Sequence, residues 1–141
     1  MSLGAEFCSA IGTTLDSGTE CLILDRTGEL RSWYPIASVV FVGKSFAVGG
    51  GQNPVEPILA GKPVVFGPRM TNFATLAREL TASGGAIEVR DEDSLCETVK
   101  KFLVDDQARR RLVENAQRVI DIHRGATDRT AEFVLNLTKQ K

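Results

Sequence analysis

Four short apolar runs most constrain what this chain can fold into: CLILD (21–25), VVFVG (39–43), PVVFG (63–67) and AIEV (86–89). Each is brief, rich in Val, Ile, Leu or Phe, and bounded by Gly, Asp or Pro. Continuous apolar runs of this length fit strands covered on both faces, as in a parallel sheet. Between them lie segments with helical spacing. GELRSWYPIA (28–37) sets Leu30, Trp33, Tyr34 and Ala37 to one side, and NPVEPILAG (53–61) makes two turns stopped by Gly61. NFATLARELTASGG (72–85) aligns Phe73, Leu76, Ala77 and Leu80 before a double glycine. From about residue 93 the pattern is wholly helical. Segment 93–105 turns Leu95, Val99, Phe102 and Leu103 inward, and 106–123 does the same with Leu112, Val113, Ala116, Val119 and Ile120. Segment 127–141 buries Phe133, Val134 and Leu137. Strand and helix alternating over short connections predict an α/β fold, a parallel sheet flanked by helices.

The opening is thinner. AEFCSAIGTTLDSGTE (5–20) offers at most one weak strand near Ala5–Ile11, so the chain reads as a piece of a larger domain. Residues 1–4 carry no pattern and read as an expression remnant, leaving 5–141 as the natural part. With a missing central strand, CLILD is expected to present an unpaired apolar edge, which invites pairing with a second copy. A homodimer through that edge is the expectation.

Composition bounds the function classes. At 141 residues, 43% hydrophobic and 25% charged, with net charge −1, the chain has ordinary globular content and no basic excess to draw nucleic acid. Its longest apolar runs fall far short of the roughly 20 residues a membrane span needs, and MSLGAEF is no secretory signal, so a soluble chain is expected. Cys8, Cys21 and Cys96 are widely spaced, form no C-x-x-C pair and have one His to share. They read as reduced small hydrophobes in a reducing compartment, without zinc or disulfides. No metal and no cofactor is expected.

In open α/β sheets the ligand crevice lies beyond the carboxyl ends of the strands. Three loops belong there: LDRTGEL (24–30), FVGKSFAVGGGQNPVE (41–56) and FGPRMTNF (66–73). In the second, Asn53 suits an N-cap, Pro54 the first helical position and Glu56 the third, a capping-box arrangement. That explains the helix start without a ligand. It explains Gly49, Gly50 and Gly51 less well, because glycine in sequence costs chain entropy that one turn does not need to spend three times. The alternative is that these glycines admit a ligand close to the backbone, with helix N–H groups meeting an anion and Glu56 accepting from vicinal hydroxyls. Gly28 and Glu29 fit ordinary helix-dipole chemistry. Arg69 is either a solvated loop charge or the partner of a phosphate or carboxylate. Neither a Walker loop nor G-x-G-x-x-G is present. His123 and Arg109, Arg110 and Arg111 read as solvated polar faces.

Taken together, the loops D-x-x-G-E-L…W-Y…G-x-S…G-G-x-N-P-x-E-P…G-K-P-V…F-G-P…N-F, spread over roughly 25–89, closely resemble the C-terminal half of the 3-deoxy-D-manno-octulosonic acid (Kdo) transferase family. The tail RGATDRT resembles that family's closing helix. The resemblance implies a partial, Rossmann-like C-terminal domain of the two-domain GT-B glycosyltransferase fold. It implies a donor, CMP-Kdo, bordered by Thr27, Gly28 and Glu29 and held at ribose and phosphate by Asn53, Pro54, Val55 and Glu56, with Ser45, Gly50, Gly51 and Arg69 as further pocket residues. It implies transfer to a lipid A precursor in lipopolysaccharide biosynthesis at the cytoplasmic face of the bacterial inner membrane. The acceptor surface and the catalytic carboxylate belong to the family's N-terminal domain, so no catalytic residue is assigned here and the isolated chain is expected to be inactive. The chain departs from the family pattern at Arg26–Thr27, Lys44 and Gln52, where Thr-Met, a second glycine and His are common. Two rival readings remain: another GT-B nucleotide-sugar enzyme or a UDP-sugar epimerase, and a non-catalytic α/β interaction module.

Overall fold

The structure, a computed structural model, describes residues 5–7, 19–47 and 49–138. The expected remnant at 1–4, the weak strand beyond Phe7, and Cys8 lie outside them. The chain divides into two compact units, Met1–Ile36 and Ala37–Lys141.

In the first unit, β1 (Ala5–Phe7) pairs in parallel with β2 (Cys21–Ile23), Ala5 opposite Cys21 and Phe7 opposite Ile23. The expected strand over 21–25 is therefore shorter, and one of its edges is hydrogen-bonded rather than open. Cys21 and Ile23 are exposed and Leu22 is half-buried, so this run is not covered on both faces. A single turn, α1 (Leu30–Trp33), runs into a 3₁₀ turn at Tyr34–Ile36. Tyr34 is buried, as its spacing suggests, but Leu30 is exposed.

The second unit is a parallel three-stranded sheet in the order β3 (Val40–Val42), β4 (Val64–Phe66), β5 (Ile87–Glu88). Val40 pairs with Val64, Val42 with Phe66, and Val65 with Ile87. β4 is central, and Val64, Val65 and Phe66 are all fully buried, as an unbroken apolar run requires. Alternation sends Val64 and Phe66 into a core with Val42, Ile58, Leu80, Ala116 and Ile120, while Val65 meets Val89, Phe102 and Leu112 on the other face. Burying each such side chain contributes about 1.5–3 kcal/mol. β3, at the sheet's edge, leaves Phe41 exposed, its ring 5.2 Å from that of Phe46.

Helices close both faces. α2 (Val55–Leu59) is short, and its end is a Schellman motif: Gly61, at φ 71°, donates to Ile58 O and Lys62 to Pro57 O. α3 (Ala74–Ala82) ends the same way, with Gly84 donating to Thr81 O and Gly85 to Leu80 O. α4 (Glu92–Val104) opens on a capping box in which Asp91 accepts from Ser94 N–H at 2.8 Å and the Ser94 hydroxyl accepts from Asp91 N–H at 3.1 Å. α5 (Asp106–Ile122) packs on α2, α3 and α4, with Leu112, Ala116, Val119 and Ile120 buried as the 3.6 period dictates.

Some surface assignments differ from expectation. Leu103 on α4 is 55% exposed, because Phe102 takes the core position beside it. On α6 (Ala126–Thr138), Phe133 and Val134 are exposed, and the Leu137 side chain lies outside the described residues. Arg109 is not merely solvated: it is half-buried, donates to Phe102 O and pairs with Asp106. His123 is exposed and meets the Glu79 carboxylate of α3 at 2.7 Å. Cys21 and Cys96 are free but exposed, not buried hydrophobes. Among the described residues no helix is long and apolar enough to cross a membrane.

Candidate functional site

The loops following β3 and β4 are built as one body around Ser45. This side chain is fully buried; its hydroxyl donates to Val42 O at 2.6 Å and accepts the Gly67 N–H at 2.8 Å. Its carbonyl accepts the Arg69 N–H at 2.9 Å. Gly67 is required at this crossing, since a Cβ there would lie 2.5 Å from the Phe46 ring and 2.6 Å from Ser45 O. Ser45 thus holds two strand ends together, and its hydroxyl is already committed on both sides.

The glycine loop folds back on the same turn: Gly51 N–H donates to Lys44 O at 3.2 Å and Gln52 N–H to Gly43 O at 3.0 Å. Gly50 and Gly51 are buried with φ near +79° and +77°. A Cβ on Gly50 would sit 2.7 Å from the Asn72 and Thr71 side chains, and one on Gly51 would strike the Met70 sulfur. Asn72 completes the clamp, its N–H donating to Gly50 O at 3.0 Å and its side-chain amide to Gly49 O at 3.3 Å. The close approach that the glycines permit is therefore to the chain's own 70–72 turn, a different cause from the ligand approach considered above. Asn72 and Met70 carry this clamp and were not among the expected site residues. Asn72 is read from sequence only as the first residue of the 72–85 segment and as part of the N-F motif, and its contacts more than twenty positions away leave no local pattern.

Asn53, Pro54, Val55 and Glu56 follow directly. The helix begins at Val55, with Pro54 buried beneath it. The expected frame is shifted by one: Pro54, not Asn53, stands at the N-cap and caps with no side chain, Glu56 is the second helical residue, and Asn53 precedes the cap, its Oδ1 accepting the Val55 N–H at 2.9 Å in a local turn. Glu56 does not close the box onto the backbone. Its Oε1 meets the Asn53 side-chain amide at 3.4 Å instead. Both side chains are exposed, which leaves the Glu56 carboxylate facing water beside a run of bent backbone. Arg69 is exposed as well.

Thr27, Gly28 and Glu29 belong to the first unit. Gly28 has φ 91° with open space where a Cβ would stand, so the turn, not crowding, selects glycine. Glu29 leads into α1 without a side-chain cap and pairs with Arg26 at 3.6 Å across two exposed groups. Ser45, Gly50, Gly51, Asn53–Glu56 and Arg69 are joined in the second unit; Thr27–Glu29 form a separate turn in the first.

A polar groove of about 510 Å3 opens at the carboxyl end of the second unit's sheet, lined by Phe46 and Arg90–Asp93. Asp91 in its wall sits below the usual carboxylate range, chiefly because the Ser94 side chain and then the Ser94 N–H bond it. Among the described residues no group of three His, Cys, Asp or Glu could hold a metal ion.

Fold and loop geometry place the chain among parallel α/β domains whose candidate site lies beyond the carboxyl ends of the strands. Within that class it is a relative of the 3-deoxy-D-manno-octulosonic acid transferases. It is 36% identical to the Bordetella pertussis enzyme over 113 residues, 80% of this chain and 26% of that one. It is 32% identical to the Haemophilus influenzae enzyme over 120 residues, 84% of this chain and 28% of that one. It superposes with TM-score 0.79 and 31% identity on the crystal structure of the C-terminal CMP-Kdo binding domain of WaaA from Acinetobacter baumannii, covering 84% of this chain and 61% of that one. No family model matches the chain. The chain spans about a quarter of the length of these curated relatives.

Proposed function

We infer that this chain is the donor-binding part of a Kdo transferase: residues 5–141 form much of the C-terminal, CMP-Kdo-binding domain of a GT-B enzyme in lipopolysaccharide biosynthesis. The observation that carries the reading is the 0.79 TM-score likeness, at 31% identity, to a CMP-Kdo binding domain. The chemistry of the loops agrees with it. An exposed Glu56 carboxylate, steadied by Asn53, is a good acceptor for two vicinal ribose hydroxyls. Asn53–Glu56 hold the nucleotide's ribose and phosphate. Ser45, Gly50 and Gly51 serve the pocket by fixing its wall.

In the transfer, the acceptor hydroxyl of a lipid A precursor attacks the anomeric carbon of Kdo, the bond to the CMP phosphate breaks, and a base takes the hydroxyl proton. In this reading the base and the acceptor surface lie outside residues 1–141, in an enzyme working at the cytoplasmic face of the inner membrane. The chain alone then binds donor and does not turn over. A second copy pairing along the edge of β2 not taken by β1 is part of the same proposal, and sedimentation over a concentration series checks it.

The test is a two-dimensional NMR titration with CMP, with UMP and Glu56→Gln as controls. Shifts centred on 50–56 and 67–72, stronger for CMP and lost in the variant, support the reading. Equal response to UMP would move it to another nucleotide-sugar enzyme, and no response at millimolar ligand would refute it.

A further inference from the structure

Two cations stand at the carboxyl ends of neighbouring strands and take no part in the packing around Ser45. Lys44 follows β3 and Arg69 follows β4; both side chains are exposed. Neither has an ion-pair partner among the described residues. Their backbones are tied into one frame, Lys44 O accepting from Gly51 N–H and Arg69 N–H donating to Ser45 O.

Lys44 is also in an unfavourable place for a lysine. Its φ is 60°, the one left-handed non-glycine residue among those described, and this region disfavours any side chain with a Cβ. The methylene stem lies along the glycine loop, for a Cβ on Gly49 would stand 3.6 Å from both Cβ and Cδ of Lys44. Glycine would satisfy the turn better, and no charge partner within the described chain offsets the cost. The ammonium is left in solvent, unpaired among the described residues.

We propose that Lys44 and Arg69 form a two-cation seat for an anionic oxygen group of the donor, either the nucleotide phosphate or the carboxylate of the acid sugar. The two residues divide the work by their chemistry. The guanidinium offers a planar fork to two oxygens, and the ammonium adds a mobile point charge on a flexible stem. This rests on the donor-binding reading above and extends it to two side chains that touch the ligand's charge.

The experiment is calorimetric titration of the parent chain, Lys44→Gly, Arg69→Gln and the double variant with CMP, cytidine and free Kdo at low salt. Lys44→Gly relieves a left-handed backbone, so its melting temperature should equal or exceed the parent's, which separates lost binding from lost folding. If the phosphate occupies the seat, the double variant loses CMP affinity by about three- to tenfold while cytidine is unchanged. If the carboxylate occupies it, CMP is unaffected and Kdo binding falls. Unchanged affinity for all three ligands in the double variant overturns the seat and leaves the donor reading standing. Lys44-dependent binding of Kdo by a parent chain that ignores both CMP and cytidine would do the reverse, and a parent chain binding none of the three overturns both.

Discussion

Replacing Ser45 by alanine removes one oxygen and tests how the candidate site is held together. The side chain is fully buried, and its hydroxyl satisfies the Gly67 N–H at 2.8 Å while donating to Val42 O at 2.6 Å. Alanine keeps the Cβ and adds nothing that could bond either group. The Gly67 N–H is then stranded where water does not reach, and stranding a buried donor costs about 1–3 kcal/mol. With about 2 kcal/mol lost and a urea slope of about 1.5 kcal/mol per molar, the unfolding midpoint falls by roughly 1 M. The slope itself should not change, since the surface exposed on unfolding is nearly the same. Urea denaturation followed by circular dichroism reads both quantities. A midpoint within about 0.2 M of the parent's would show that the hydroxyl bridge contributes little, and the account of the two loops as one body would fail.

Other expectations follow the same reasoning. Gly50→Ala combines a left-handed φ with a Cβ 2.7 Å from Asn72 and Thr71. It should cost about 2–4 kcal/mol, against about 1 kcal/mol for Gly61→Ala, whose φ is similar but whose Cβ meets open space. Thermal melts should rank them in that order, and equal losses would count against the crowding argument. Leu80→Ala should cost about 3–5 kcal/mol and Leu103→Ala under about 0.5 kcal/mol, by chemical denaturation. Asp91 titrates lower in the folded chain than in the unfolded one because Ser94 bonds it. Its contribution is therefore present above the unfolded carboxylate range and lost as pH falls through the folded value. Asp91→Asn should flatten the acid side of the stability profile, and an unaltered acid limb would refute the assignment.

Where a single local pattern decides structure, the sequence was readable. The unbroken run at 63–67 predicts a doubly covered strand, and β4 is one. The spacing of Leu112, Ala116, Val119 and Ile120 places the buried stripe of α5. The run at 21–25 has the same composition but ends half-exposed in a two-stranded sheet, because coverage depends on neighbours that the run does not encode. α6 misleads for the same reason: an apolar stripe states that a helix can be buried, and Phe133 and Val134 are not. At the candidate site, a bond from Asn53 to the start of α2 was legible because it is local, although the N-cap itself falls one residue later, at Pro54. The reason for the glycines was not, since Met70, Thr71 and Asn72 reach them from about twenty residues away.

The clamp around Gly50, Gly51, Gly67 and Ser45 also sets which positions are free to vary. Each of those four is hemmed in by the chain's own atoms, so almost any substitution there is felt first as a folding defect. Gln52 and Arg69 hang from the same frame with their side chains in water and can be exchanged without disturbing it, while Lys44, also exposed, is limited by its left-handed φ of 60°. A saturation library over these seven positions should therefore split cleanly. Survivors at the first four would keep the parental residue, Lys44 would accept chiefly glycine and asparagine beside lysine, and Gln52 and Arg69 would accept broad variety and carry most of whatever retuning of ligand preference the scaffold allows.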